Sequence, residues 1–360
     1  MTIPDTYLHE NGMVFMQRAN RAMAEPARMV DFEQTPARGF SVPIGRRRLN
    51  LMLKLESENR FGSIKSRTAS ALIDYLESSG RLRAGGRIVE STSGNLGIAL
   101  AGICAERGYD CTLVVDNNVP DLSASLMEEY GARLIRIRDT NLRSPVEERL
   151  KLVAEIVAAD RGVLWTNQYG SRAAPRVHER TTGPELLCAF AGRKADALFV
   201  PVSTGGTLAG ISRFTRKFSP DTMIVAVDAV GSAAMGGPLG KRPEKLAGFG
   251  SDRRSQFDTG RLCDVVMYVS DSEAASTCRL VHARTGLTLG GSAGAAVTAA
   301  ILCAERYPSL LNVACLCPDG GDRYVKTIYT ACEPSEPYGA LAPLSAIQRE
   351  PELDTDGPEG

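Results

Sequence analysis

From about residue 50 the chain alternates short apolar segments with segments of helical pattern, and this alternation limits the possible folds more than any other feature. The apolar segments include LNLMLKLE, GRIVEST, CTLVVD, RLIRIR, ADALFVPVS, TMIVAVD, DVVMYVS and NVACLCPD. Strands that are buried on both faces and separated by helices are typical of parallel sheets covered by helices. The sequence therefore predicts an α/β fold, with helices over residues 68–79, 95–107 and around 123–130.

Length and charge narrow the class of protein. With 360 residues and 43% apolar content, the chain is expected to form two domains rather than one. Its 42 basic residues balance 42 acidic ones, and without a basic run we expect no nucleic-acid partner. The first residues lack a signal-peptide pattern, and no apolar stretch approaches a membrane span, so we expect a cytoplasmic protein. The nine cysteines are an odd set and lie mostly in apolar runs, which predicts reduced core residues and no metal site.

A lysine and three glycine-rich loops carry the candidate chemistry. They are GSIKSR with Lys65, ESTSGNLG at 90–97, VSTGGTLAG at 202–210 and GGSAGAA at 290–296. Several of these loops lie between a predicted strand and a predicted helix, which is where open α/β sheets bind ligands. Together, and in this order, they indicate a pyridoxal 5'-phosphate enzyme whose lysine carries the cofactor as a Schiff base.

Lys65 is the candidate for that covalent role. A Schiff-base lysine must be a neutral amine for part of its cycle, and burial or nearby cations lower its pKa enough to allow this. Lys65 lies in a turn of small residues at a predicted helix start, unlike the lysines on charged helical faces. Taken alone it would be read as a surface lysine, and the other three loops favour the catalytic interpretation.

The other loops supply groups that suit a phosphate and an amino acid. STGGT follows the apolar strand ADALFVPV, and its hydroxyls, backbone N–H groups and helix N-terminus suit a dianionic phosphate. In STSGN an amide is suited to the phenolic oxygen of the cofactor, while hydroxyls and N–H groups are suited to an amino-acid carboxylate. The predicted phosphate-binding residues are Ser203, Thr204, Gly205, Gly206 and Thr207; the predicted residues of the second loop are Thr92, Ser93, Gly94 and Asn95.

The four motifs in this order resemble the fold-type II pyridoxal phosphate enzymes of the cysteine synthase and cystathionine β-synthase group, from about residue 35 to 330. The resemblance implies that Ser292 faces the pyridine nitrogen, that Gln168 in WTNQYG joins the carboxylate site, and that Gly248 in LAGFG helps to close the site. A hydroxyl at that nitrogen leaves it largely unprotonated, which favours β-elimination and β-replacement over transamination. His178 is expected to be a helix-surface or hydrogen-bonded residue rather than a general base.

The resemblance also implies an architecture. We expect a tryptophan synthase β-like fold of two three-layer α/β domains with the cofactor between them, assembled as a homodimer. The larger cofactor-binding domain would comprise residues 1–57 and 173–340, the smaller mobile domain 58–172, and the acidic segment 341–360 would be a disordered tail.

Within that group the chain most resembles synthases that join O-phospho-L-serine to L-glutamate, giving N-(2-amino-2-carboxyethyl)-L-glutamate for 2,3-diaminopropionate production. On this resemblance Tyr169 and Ser203 line the substrate pocket. Arg253 and Arg254 follow the closing loop and are candidates for binding an anionic leaving group or a dicarboxylate acceptor. The alternatives are a cysteine synthase or cystathionine β-synthase using sulfide or a thiol, and, with less support, a dehydratase or a catalytically idle binding protein.

Overall fold

The computed structural model describes residues 34–92, 94–117, 119–137, 144–190, 194–242, 246–257 and 261–329. The strands in these ranges are β1 Ala37–Ile44, β2 Arg47–Leu55, β3 Arg87–Ser91, β4 Asp110–Val115, β5 Arg133–Arg136, β6 Val163–Trp165, β7 Ala197–Pro201, β8 Met223–Ala229, β9 Val265–Val269 and β10 Asn312–Cys317. The helices are α1 Lys65–Ser78, α2 Asn95–Arg107, α3 Asp121–Glu129, α4 Pro145–Ala159, α5 Ala173–Arg180, α6 Thr182–Cys188, α7 Gly206–Phe218, α8 Asp271–Thr285 and α9 Gly291–Arg306.

The strands form two sheets. One has six strands in the order β1-β2-β10-β7-β8-β9, and the other has four in the order β5-β4-β3-β6. Every pairing is parallel except that of β1 with β2. The four-stranded sheet lies entirely within the predicted smaller domain, and the strands of the six-stranded sheet lie outside it. The domain boundaries themselves stay a prediction.

The six-stranded sheet is buried on both faces because successive side chains of a strand point to opposite sides. Leu49, Leu51 and Leu53 of β2 and Phe199 of β7 join a core with helices α8 and α9 on one face. A second core lies on the other face, against α6 and α7. It contains residues of β7, β8 and β10, namely Leu198, Val200, Ile224, Ala226, Ala314 and Leu316. The result is a layered α/β/α unit, as the apolar strands predicted.

The four-stranded sheet is layered in the same way. Ile88, Leu113 and Val115 pack with α1, α2 and α3 on one face. Val89 and Val114 pack with α4 on the other face. The three helices whose bounds the sequence predicted are found to within three residues at either end. The predicted helix 95–107 is found with the same bounds.

The antiparallel strand β1 was not predicted from the sequence. It is joined to β2 by the two residues Gly45 and Arg46, with Gly45 in the left-handed region at φ 57°. A two-residue connection joins antiparallel strands, since a parallel pair needs a crossover of a dozen residues or more. The hairpin therefore adds an antiparallel edge to an otherwise parallel sheet.

A buried network of charges fixes α1 to the six-stranded sheet. The guanidinium of Arg67 is fully buried and pairs with Glu56 (Nε to Oε2, 2.8 Å) and with Glu185 (Nη1 to Oε1, 2.6 Å). Lys54 of β2 pairs with the same Glu185 at 2.5 Å and donates to the carbonyl of Thr35. Because Arg67 lies two residues after Lys65, this network also fixes the start of the helix that carries the lysine.

In the described ranges no helix is both long and apolar enough to cross a membrane. All described cysteines except Cys188 are buried, in agreement with the predicted core positions. Cys332 and the predicted tail 341–360 lie outside the described residues.

Candidate active site

A cleft lies where the carboxyl ends of strands from both sheets come together. It contains about 700 Å³ of space not filled by protein atoms, part of which is open to solvent. Its lining comes from segments that follow β3, β6, β7 and β10, together with the starts of α1 and α9. The predicted site residues in this lining are Lys65, Thr92, Gly94, Asn95, Gln168, Tyr169, Ser203, Thr204, Gly248 and Ser292.

Lys65 is held at the wall of the cleft by backbone contacts with the end of β10. The N–H of Ile64 donates to the carbonyl of Pro318 at 2.8 Å, and Ser63 forms an antiparallel bridge with Asp319. Gly62 has φ 69°, and a Cβ there would lie 3.1 Å from Nη2 of Arg323. The glycine of GSIKSR therefore permits both the turn and the close passage of an arginine.

The environment of Lys65 favours its neutral form. Burial lowers the pKa of Lys65 to about 8, and the negative charge of Glu90 opposes the shift. An amine with this pKa is about one-tenth neutral at pH 7, against less than about one part in a thousand for an ordinary lysine, and the neutral form is the one that reacts with a carbonyl.

The STGGT loop leads into the first turn of α7, as predicted. Gly205 is the residue before the helix and has φ 90°, a conformation that suits glycine. Ser203 and Thr204 line the cleft directly, whereas Gly206 and Thr207 form the first helical turn behind them. The N–H groups of such a turn are unsatisfied within the helix and attract an anion.

His178 lies behind this loop and is fully buried, so a helix-surface position is wrong and the hydrogen-bonded alternative is found. Its Nε2 lies 3.0 Å from Oγ1 of Thr68 and 3.3 Å from Oγ1 of Thr207, and its Nδ1 lies 2.9 Å from Oγ1 of Thr182. Burial and the charges of Arg67 and Lys65 hold the pKa of His178 well below its usual value, so the ring is neutral. It links the lysine helix with the first turn of α7.

Asn95 begins α2 and lines the cleft opposite the lysine. Its Nδ2 donates to Oδ2 of Asp319 at 2.7 Å, and its Oδ1 accepts from Arg323. Tyr324 donates to the same oxygen of Asp319 at 2.8 Å. The amide retains a second N–H for a ligand, and its orientation is set by residues of the CPDGGDRY segment, a role that the sequence did not reveal.

Thr92 and Gln168 shape the remaining side of the cleft. Oγ1 of Thr92 accepts from the N–H groups of Gly94 (3.2 Å) and Gly97 (3.0 Å), so this hydroxyl folds the STSGN loop. Nε2 of Gln168 donates to the carbonyl of Ser91 at 2.7 Å. The predicted residue Ser93 lies outside the described residues.

Ser292 lies in the first turn of α9, is 3% exposed and lines the same cleft. The GGSAGAA motif thus forms a helix start, with Gly290 as the residue before the helix. A Cβ at Gly290 would lie 1.9 Å from Oδ1 of Asp319. Glycine at 290 is therefore needed for the close approach that brings this helix to the cleft.

A second cavity adjoins the first and shares Tyr169, Ser203, Ala247 and Gly248 with it. Arg149 of α4 lines this cavity and is only 2% exposed. Its Nε lies 3.3 Å from Oδ2 of Asp116, but neither Nε nor Nη1 has a hydrogen-bond partner among the described residues. Sequence analysis missed Arg149 because it lies within an ordinary charged helical segment, EERLKL, with no motif around it.

Arg253 and Arg254 are not among the lining residues of either cavity, within the part of the chain that the structure describes. Arg254 is exposed. Gln256, in the amide orientation that satisfies its neighbours, accepts from Nη2 of Arg253 at 2.5 Å and donates to the carbonyl of Tyr169 at 3.3 Å. The geometry therefore favours Arg149 over this pair as a cation beside the cleft, in addition to Arg323, which lines the cleft itself.

The donor set of the cleft fits pyridoxal phosphate. Lys65 supplies an amine for the aldehyde. Ser203 and Thr204, before the N-terminus of α7, supply two hydroxyls beside the anion-binding N–H groups of the helix. The amide of Asn95 and the hydroxyl of Ser292 provide neutral hydrogen-bonding partners. Lys65, Asn95 and the 203–207 segment would hold the cofactor, with Ser292 at its ring.

Comparison with known proteins agrees with this arrangement. The family described as "Pyridoxal-phosphate dependent enzyme" matches residues 33–319. An N-(2-amino-2-carboxyethyl)-L-glutamate synthase of Ralstonia nicotianae is 37% identical over 79% of this chain and 83% of its own length. A cysteine synthase of Staphylococcus aureus is 34% identical over 77% of this chain and 88% of its own length. The crystal structure of O-ureido-L-serine synthase has a TM-score of 0.77 at 27% identity, covering 86% of this chain and 98% of the other.

Fold, site and relatives define an enzyme that depends on pyridoxal phosphate and catalyses β-substitution. The chain belongs to the pyridoxal-phosphate-dependent enzyme family, and within it to the fold-type II branch that includes cysteine synthase.

Proposed function

We propose that this enzyme replaces the phosphate of O-phospho-L-serine with the α-amine of L-glutamate, giving N-(2-amino-2-carboxyethyl)-L-glutamate and inorganic phosphate. The observation that carries the proposal is the buried guanidinium of Arg149 beside the active-site cleft. A relative at 37% identity whose name gives this product supports the proposal independently.

A cation as buried as Arg149 requires compensation. One ion-pair contact to Asp116 leaves Nε and Nη1 without hydrogen-bond partners among the described residues. Nε faces Asp116, and a carboxylate of an acceptor could accept from Nη1 in a charge-assisted hydrogen bond. Sulfide has no carboxylate for this contact, whereas an acceptor with two carboxylates can place one there while its amine lies in the adjoining cleft.

The chain's own residues account for the steps of the reaction. Bound pyridoxal phosphate supplies the electron sink that acidifies the Cα proton of the donor. Nζ of Lys65 takes that proton, and the bond between Cβ and the phosphate oxygen breaks, with the electron pair leaving on inorganic phosphate. The glutamate nitrogen then bonds to Cβ and releases a proton, and Lys65 returns a proton to Cα. Thr92, Asn95 and Gln168 hold the donor carboxylate in this proposal.

The experiment that tests the proposal is a matrix of donors and acceptors. Purified enzyme is incubated with O-phospho-L-serine or O-acetyl-L-serine, each with glutamate, sulfide, cysteine or ammonia, and the products are identified by mass spectrometry. We expect the glutamate adduct from O-phospho-L-serine at the highest kcat/KM. Cysteine as the main product under sulfide, with no adduct under glutamate, would contradict the proposal.

Cysteine synthesis is the second candidate function, because a cysteine synthase is 34% identical to this chain over most of its length. The same matrix separates the two functions, because a cysteine synthase would consume sulfide fast with either donor substrate.

A homodimeric assembly and a cytoplasmic location are part of the proposal, and sedimentation analysis of the purified enzyme tests the assembly.

A further inference from the structure

A carboxylate with no part in the reaction steps lies directly behind the cleft. Glu90 is the penultimate residue of β3 and is 0% exposed. Its Oε1 accepts from the N–H of Ser91 (2.8 Å) and from Nε1 of Trp165 (3.1 Å). Its Oε2 accepts from Oγ1 of Thr166 (2.5 Å) and from the N–H of Gln168 (2.9 Å). Glu90 therefore joins the segment after β3 to the segment after β6.

These two segments follow the paired strands β3 and β6 and form two neighbouring sides of the proposed donor-carboxylate site. The β3 segment continues into Thr92 and Asn95, and the β6 segment carries Gln168 and Tyr169, all four of which line the cleft. Asn167 lies between the groups held by Glu90 and has φ 54°; it alone among the described non-glycine residues has a positive φ. Such a backbone persists where its surroundings fix it, and here hydrogen bonds to Glu90 flank it on both sides.

We propose that Glu90 is a positioning residue that fixes the distance between the two sides of the donor-carboxylate site. The proposal rests on the proposed function only in assigning the donor's carboxylate to this site. It does not depend on which acceptor the enzyme uses.

The chemistry of the site calls for a carboxylate at this position. An ionised carboxylate offers two oxygens with about four lone-pair sites, and four donors converge on Glu90. A glutamine offers one acceptor oxygen, and its NH2 group would face two of the donors. An aliphatic side chain would leave the same donors buried and unsatisfied, at a cost of roughly 1–3 kcal/mol for each.

The test compares Glu90→Gln with Trp165→Phe and Thr166→Val, which each remove one hydrogen-bond donor to Glu90. Asp196→Asn serves as the matched control, because Asp196 accepts from the N–H groups of Leu311 and Asn312 at the opposite, amino-terminal end of β7. We expect the donor KM of Glu90→Gln to rise about tenfold or more, as for the loss of a well-placed substrate hydrogen bond. We expect the kcat of Glu90→Gln to change less than about threefold. In Trp165→Phe and Thr166→Val we expect the KM for the donor substrate to rise as well, but by a smaller factor. Asp196→Asn should leave the donor KM unchanged.

Two further measurements separate positioning from general loss of structure. Amide hydrogen exchange at Gln168 should accelerate in Glu90→Gln and stay at the wild-type rate in Asp196→Asn. Donor binding, followed through the visible spectrum of the bound cofactor without any acceptor, reports on this site even if glutamate is not the acceptor. An unchanged donor KM in Trp165→Phe and Thr166→Val together, or an equal rise in Asp196→Asn, would overturn the proposal, even if Glu90→Gln fails to fold.

Discussion

Replacing Arg149 by methionine is the most direct perturbation of the proposed acceptor site. The change keeps much of the length of the side chain and removes its charge. Because two guanidinium nitrogens of buried Arg149 have no hydrogen-bond partner among the described residues, the free protein loses little hydrogen bonding. Its ion pair with Asp116 is lost, and removing one partner of a buried pair lowers the free energy of unfolding by roughly 3–5 kcal/mol, so a urea titration of the variant accompanies the kinetics.

The magnitude follows from the hydrogen bond that the acceptor would accept from Nη1. One hydrogen bond to a charged group is worth about 1.5–3 kcal/mol, which corresponds to roughly 10-fold to 150-fold in affinity. We therefore expect the glutamate KM to rise by at least about tenfold. Turnover of O-phospho-L-serine without acceptor, followed by phosphate release, should change less than about threefold. Arg149→Lys keeps the charge but not the planar guanidinium with its Nη1 donors, so its glutamate KM should lie between those of the wild type and Arg149→Met.

The assay compares glutamate and sulfide as acceptors with the same donor. A rise in the glutamate KM with an unchanged sulfide KM assigns Arg149 to the dicarboxylate. A loss of phosphate release would instead assign Arg149 to binding the phosphate of O-phospho-L-serine. Wild-type kinetics with both acceptors would refute the reasoning. The double change Arg253→Gln with Arg254→Gln tests the sequence-based alternative, which would be favoured if it raised the glutamate KM more than Arg149→Met does.

The remaining predictions concern the lysine, the serine and the buried charge network. Lys65→Ala should abolish the visible absorbance of the bound cofactor and lower turnover by several powers of ten, on the order expected for loss of a covalent catalyst. Because burial lowers the pKa of Lys65 to about 8, its neutral fraction rises with pH, and stopped-flow mixing of the cofactor-free enzyme with pyridoxal phosphate should show capture accelerating from about pH 7 to 9 and levelling off above. Ser292→Asp should slow β-replacement while the cofactor stays bound, and an unchanged rate and spectrum would show that another residue faces the ring nitrogen. Arg67→Met leaves Glu56 and Glu185 with reduced compensation and should lower the free energy of unfolding by about 3–5 kcal/mol in urea titrations.

The sequence predicted the layers of the fold because strand and helix patterns are local. Apolar runs such as ADALFVPV predict buried parallel strands from their own composition, and β7 is buried along its whole length. The lysine turn and the glycine loops were recognisable because their chemistry lies in contiguous residues. Lys65, Asn95, Ser203 and Ser292 were therefore all predicted before the cleft that they line was known.

The residues that the sequence did not reveal act through contacts between distant segments. Arg149 lies on α4, and nothing in its own helix distinguishes it from the charged residues beside it until the fold buries it next to Tyr169 and Ser203. Arg253 and Arg254 looked suitable because they follow the closing loop, but proximity in sequence did not put them in the lining of the cleft. Burial and hydrogen bonding are properties of the packed molecule, so the electrostatic character of such residues is decided by the tertiary structure.

Glu90 combines, within a single motif, a position that the sequence shows and contacts that only the fold creates. Its place at the head of ESTSGNLG is evident from the sequence, but the donors that converge on it come from residues 165–168 as well as from Ser91. The sequence by itself determined the fold class, the cofactor and the order of the binding loops, because each depends on short contiguous patterns. The tertiary structure alone decided which charges are buried at the cleft and which carboxylate joins its two sides, because only packing brings the strand ends of the smaller sheet together.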